Sequence, residues 1–294
     1  MGYHFSIYSV GNILSGIFVL FLGFLVYFRQ KQSPINRNFF YFALVTFIWL
    51  FFYGISYLSA TEEQALFWLK IGYTAVIFMA ISGIQLVSSF VNFKLPKYIY
   101  FVEYGINLVS VYLLYFTNYF VSGLYKYFWG YYPKAGSFHP IFMVFFVFGI
   151  VFLIGMLFLN WLKVRKENSV EGRRVLYMLI AISSISFAAV DFIPNYGVEI
   201  YPFGWILVLF YCSTIAYAIL RYQLMDIKVV IQKALVYSIG IALVSGLIVA
   251  VSFLSNWFSE KIPGFNFWTM PIIAGAVAFI YLLAKIQRSG QIKI

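Results

Sequence analysis

The sequence predicts an all-α fold, a polytopic bundle of about nine transmembrane helices with the N-terminus outside and the C-terminus in the cytoplasm. Three observations predict it. Hydrophobic residues make up 63% of the chain and charged residues only 10%, against about 25% charged in an ordinary soluble domain. A water-soluble fold could not hide so much apolar surface beneath a polar shell, whereas a bilayer is itself the solvent for it. The apolar residues also form continuous runs of the ~20 residues that a helix needs to cross about 30 Å of hydrocarbon. Finally, the cations gather in short clusters between those runs, on alternate sides. Because the runs are continuous instead of alternating, a transmembrane β-barrel is excluded.

Taken in order, the predicted spans are 8–28, 38–59, 66–92, 98–120, 140–162, 175–194, 202–220, 234–255 and 267–285. The first has no basic n-region and no small-residue cleavage site, and it is too long for a signal-peptide core, so it is expected to be retained. The sixth ends at Asp191 and Pro194, and the ninth is short. With an outer N-terminus, the inner loops carry Arg29, Lys31 and Arg37, then Lys94 and Lys97, then Lys163, Arg165, Lys166, Arg173 and Arg174. Arg221, Lys228 and Lys233 follow, with Lys285, Arg288 and Lys293 on the tail. The outer loops hold Lys126, Lys134 and Lys261, together with Glu62, Glu63, Glu199 and Glu260. Every loop agrees in sign. The formal charge of +11 is therefore a topology signal, and no basic face for nucleic acid can be assembled from such short loops.

Several residues stand out against this background. The outer stretch from Trp129 through Tyr131 to Gly136, ahead of His139-Pro140, combines glycines and a proline in a compact turn whose aromatics suit the headgroup level. It reads either as a belt anchor or as a lid facing a ligand. Lys70 lies in the outer part of the third span and Asp191 near the outer end of the sixth. Ionisable groups within spans are costly, so these two are candidates for an ion pair lining an outer cavity; the plainer reading has Lys70 snorkelling to the headgroups and Asp191 facing water. Glu103, nearer the inner side, is expected beside Lys94, Lys97 or the 163–174 loop, and Gln85, Asn107 and Asn160 can bridge helices.

Arg221, Tyr222 and Asp226 open a segment running to Lys233 in which Leu224, Ile227 and Ile231 share one helical face. It reads as an amphipathic helix at the inner interface or as an ordinary charged connector. Ser238, Ala242, Gly246 and Ala250 recur every four positions along the eighth span, a stripe that lets another helix of this chain or of a second copy approach closely.

Three stretches occur together and in order: Trp129–Gly136, the passage from Asp191-Phe-Ile-Pro-Asn-Tyr-Gly197 to Tyr201-Pro-Phe-Gly204, and the Ala216–Ile227 ending. In this the chain resembles the N-terminal seven-transmembrane sensor region of bacterial histidine kinases over roughly residues 8–227. The resemblance implies a sensor unit at 1–227 in the cell's inner (plasma) membrane, followed at 228–294 by two further spans and a short tail. It also implies an unknown small or lipid-like ligand, a homodimer, and a cytoplasmic kinase or output partner. One departure is plain. A kinase needs a phosphoacceptor histidine on a cytoplasmic helix and an ATP-binding domain, yet the histidines are His4 and His139, both on the predicted outer side, and only Lys285–Ile294 follow the ninth span. The expectation is a non-enzyme. Phosphate-loop and dinucleotide glycine patterns, metal-ligand spacings and a nucleophile–base arrangement are all missing from the sequence, so no cofactor is expected. A retinal pigment would need a lysine in the seventh span, which has none. The alternative reading is a transporter or permease subunit, against which stand the odd helix count and the lack of a repeat. A membrane transferase acting on lipid would lack a catalytic centre.

Overall fold

The computed structural model describes Tyr3, residues 5–167 and 169–223, and Gly246. The chain divides into two compact units, Met1–Leu235 and Val236–Ile294. Gly246, which is helical, is the one described residue of the second unit. The predicted eighth and ninth spans, and with them Asp226, Ser238, Ala242 and Ala250, lie outside the described residues.

Seven helices follow one another: α1 (Tyr8–Arg29), α2 (Pro34–Ser56), α3 (Glu62–Phe90), α4 (Lys97–Phe116), α5 (His139–Val164), α6 (Ser169–Ala188) and α7 (Gly204–Gln223). A 3-10 helix, Ala189–Tyr196, continues α6. All seven, α6 taken together with that extension, are long and apolar enough to cross a membrane. Their starts are set by local chemistry. Pro34 occupies the first turn of α2, where its missing N–H would have gone unused. Thr61 caps α3 by accepting from the Gln64 amide at 3.3 Å, and Glu62 and Glu63 place negative charge on that first turn. For these reasons α2 and α3 each begin four residues earlier than their apolar runs suggest.

Helix α1 lies against α2 and α7, α2 against α3, α5 against α6, and α6 against α7. Leu22, Phe39, Phe42, Leu50, Leu69, Tyr73 and Cys212 are among the side chains buried between them. Helix α4 is different. It packs on α3, buries only Asn107, Ser110 and Leu114, and leaves Phe101 81% and Phe116 75% exposed. Such apolar exposure suits a helix facing hydrocarbon.

The fold is all-α apart from one local element. The loop predicted as a compact turn folds as an antiparallel hairpin, β1 (Val121–Tyr127) and β2 (Gly130–Ala135), joined by Phe128-Trp129. Tyrosines on both strands favour the pleated conformation. Gly130 makes the turn: its φ of 139° is open to glycine, and a Cβ there would meet the Tyr57 Cα at 2.9 Å. The hairpin is thereby held directly on the end of α2. A bulge between Val121 and Gly123 ends the regular register.

Candidate functional site

The 3-10 helix is where the hairpin, α5, α6 and α7 meet. In a 3-10 turn the N–H of residue i+3 bonds the carbonyl of residue i. Pro194 has no N–H, so the Asp191 carbonyl loses its partner within the turn. The Tyr132 hydroxyl supplies it, donating to the Asp191 carbonyl from β2. Tyr127 donates to the Pro194 carbonyl from β1 at 2.8 Å, and the Gly197 N–H bonds the same oxygen at 3.2 Å. Burial, followed by the neighbouring tyrosines and the Asp191 carboxylate, pushes the Tyr132 phenol well above its usual range; burial, then Tyr125 and Glu199, raises Tyr127. Both phenols therefore keep the protons they donate.

The Asp191 side chain points the other way. Its Oδ1 accepts the Gly204 N–H at 2.8 Å, so a buried carboxylate caps the first turn of α7. A Cβ on Gly204 would overlap that carboxylate, which is why glycine opens the helix. Asp191 thus joins two elements: its carbonyl is tied to the hairpin and its carboxylate to α7.

Beside this lies a buried polar knot. The Asn195 amide donates to the Tyr73 hydroxyl at 2.8 Å. That leaves the Tyr73 hydrogen for His139 Nε2, with which it makes a short hydrogen bond. The imidazole hydrogen then belongs on Nδ1, 2.8 Å from the Tyr196 hydroxyl. His139 is fully buried, with Phe120, Phe142 and Phe192 also against its ring. Three elements, α3, α5 and the 3-10 helix, share this one imidazole.

An aromatic lid closes over both groups. Trp129 is buried, stacked on Tyr127 with ring centroids 4.6 Å apart and edge-on to Tyr201 at 5.8 Å. Its indole N–H has no hydrogen-bond partner among the described residues. Tyr201 in turn donates to the Tyr8 carbonyl at 2.8 Å, bringing in the start of α1. Among the described residues, no three His, Cys, Asp or Glu side chains gather closely enough to hold a metal ion.

Of the residues singled out in the sequence, Trp129 and Asp191 come together here, but Tyr131 does not. It lies on the other face of β2 with the Lys126 ammonium 5.7 Å over its ring. Strand alternation turns Tyr132 inward instead. The Lys70–Asp191 ion pair does not form. Lys70 and Thr74 share the α3 face that meets α4: the Lys70 ammonium sits 5.8 Å from the Tyr115 ring and Thr74 bonds the Tyr115 hydroxyl at 3.2 Å. Asp191 Oδ1 instead accepts the Gly204 N–H at the α7 N-terminus. Nor does Glu103 pair with Lys94, Lys97 or the 163–174 loop; Arg174–Glu171 is the one ion pair among the described residues. Gln85 does bridge helices, donating to the Tyr104 hydroxyl at 2.8 Å. Arg221 is exposed on the last turn of α7, its guanidinium 5.2 Å from the Tyr217 ring, with Tyr222 following in the same turn.

Tyr73, Tyr132, His139, Asn195 and Tyr196 were not foreseen as site residues. A lone internal histidine in so apolar a chain, and an Asn-Tyr pair directly after Pro194, were the available signals.

The model of the family described as the N-terminal 7TM region of histidine kinase matches residues 12–228. No curated protein and no solved structure matches the chain.

Proposed function

The chain belongs to the family of N-terminal seven-transmembrane regions of histidine kinases, and from that premise we propose that it is a membrane sensor whose hairpin faces outside and whose basic end relays a signal to a cytoplasmic kinase or other output partner. One observation carries the reading. The 3-10 junction between α6 and α7 leans on the hairpin, because Pro194 withdraws a hydrogen bond in whose place the Tyr132 hydroxyl donates. Anything that moves the hairpin acts on the junction, and through the Asp191 carboxylate on the first turn of α7.

The buried Trp129 N–H is a donor available to a ligand at this end, and its ring is wedged between Tyr127 and Tyr201. A small or lipid-like molecule engaging it would move the aromatic lid. To signal, it must prefer one packing of α6 and α7 over another, since equal affinity for both shifts nothing. The Arg221 end of α7 would then carry the displacement toward the segment ending at Lys233.

The cations support this orientation. Arg29, Arg37, Lys94, Lys97, Lys163 and Arg221 belong to the end away from the hairpin, the pattern of a cytoplasmic side. A membrane-impermeant thiol reagent on intact cells should label Lys126→Cys and spare Lys166→Cys; Cys212 is buried and gives little background. The reverse pattern would end the reading. The relay is tested by spin labels on α3 and at Arg221 of α7: Tyr132→Phe should change their distance distribution, and an unchanged distribution would show that the hairpin does not reach the basic end. Solute accumulation dependent on this chain would replace the sensor with a transporter.

A further inference from the structure

At the end away from the hairpin, α2, α3 and α4 leave a groove between them of about 690 Å³, within the ~300–1,000 Å³ range of small-molecule sites. Along α2 it runs from Arg37 to Val45, about 12 Å at 1.5 Å per residue, close to half of the roughly 30 Å hydrocarbon core. The groove therefore spans one leaflet, the one on the side of the cation clusters.

Its chemistry changes with depth. Arg37 stands exposed at the mouth and makes no ion pair among the described residues. Lys97, one turn before the lining residue Tyr100, places a second exposed cation on the same face of α4. Next come Asn38 and Gln85, then Val45, Phe78 and Ile81. A fork of guanidinium donors, then amides, then hydrocarbon is the order in which a phospholipid presents its phosphate, its esters and its acyl chain. Helix α4 also has room to accommodate it. Near the hairpin it is fastened by Tyr115 to Thr74 and Lys70, whereas along the groove the Gln85–Tyr104 bond crosses the gap.

We propose that this groove is a binding site for one anionic glycerophospholipid of the phosphatidylglycerol type, with its phosphate on Arg37, assisted by Lys97, and an acyl chain along Val45, Phe78 and Ile81. The proposal is independent of the sensor reading, since it concerns other residues at the other end of the bundle.

The test is native mass spectrometry of the full chain released from micelles holding equal amounts of dioleoyl phosphatidylglycerol and dioleoyl phosphatidylcholine. One anionic lipid should be retained in preference by about tenfold, the worth of one charge-assisted contact. Arg37→Gln should bring the preference close to one. Lys31→Gln, a cation at the same end whose ammonium lies over Phe28, should leave it unchanged. Filling the groove by Val45→Phe or, on the α3 wall, by Ser82→Leu should reduce retention of both lipids, with circular dichroism checking that the helices persist. Inorganic phosphate at millimolar concentration should not displace the lipid. The proposal fails if Arg37→Gln keeps the preference, if Lys31→Gln loses as much, if both fillers fold and still retain lipid, or if phosphate alone competes.

Discussion

At the hairpin end, Tyr73, His139 and Asn195 use one another's hydrogen-bonding capacity in a buried knot that the exposed Tyr196 joins from the rim, and Asp191 commits its carbonyl to the hairpin and its carboxyl to α7. At the Arg37 end, Asn38 and Gln85 also join helices, through the Gln85 carbonyl at 3.0 Å and the Tyr104 hydroxyl at 2.8 Å, but a groove stays open beside them. The contrast has a physical origin. A polar group buried without a partner costs about 1–3 kcal/mol, so a fully enclosed cluster has to be mutually satisfied and tolerates little change. A polar group at the edge of an open groove is free to find other partners, so a bridge there is worth no more than the average of about 0.6 kcal/mol for a hydrogen bond between membrane helices. One end is locked by mutual dependence; the other is adjustable.

The sharpest way to break that contrast is Gly204→Val. Its side chain would occupy the place of the Asp191 carboxylate, and overpacking with loss of the cap should cost about 3 kcal/mol in SDS unfolding from mixed micelles. A near-wild-type midpoint would mean that the carboxylate is not seated on α7. His139→Phe should follow at about 2 kcal/mol, because it leaves the buried Tyr73 hydroxyl hydrogen without its acceptor. Tyr132→Phe should cost about 1–2 kcal/mol and Tyr131→Phe under about 0.5. Restoring the missing N–H with Pro194→Ala should shrink the Tyr132→Phe penalty, and a double-mutant cycle without coupling would show that the phenol does not substitute for that hydrogen bond. At the other end, Gln85→Ala should cost only about 0.6 kcal/mol. Smallest of all is the coupling between Lys70→Met and Asp191→Asn, which should add within about 0.5 kcal/mol; a larger interaction would bring back the ion pair that the geometry argues against.

What was legible from sequence follows the same division. Helix existence came through because hydrocarbon demands an unbroken apolar run, a requirement each span meets on its own. The seven described helices lie where seven of the runs do, shifted by a few residues at Pro34 and Thr61 where a proline or a cap, rather than hydropathy, sets the start. Asp191 also announced itself, since a carboxylate at the end of an apolar run needs a partner somewhere.

The identity of that partner was beyond local reasoning. Lys70 offers the opposite charge at similar depth, yet it lies on the α3 face toward α4, while the N–H of Gly204, thirteen residues along the chain, carries no formal charge to mark it. Likewise the hairpin register, which turns Tyr132 inward and Tyr131 outward, depends on the pairing of Tyr125 with Tyr132 and on Gly130 lying against Tyr57. By itself, then, the sequence determined that this chain lives in a bilayer and where its helices run, because each helix meets the lipid individually. The tertiary structure alone decided which polar groups satisfy one another, because a hydrogen bond inside a membrane protein is settled by whichever donor the packing brings within about 3 Å, and that donor can be a backbone amide, a phenol or an imidazole from any helix.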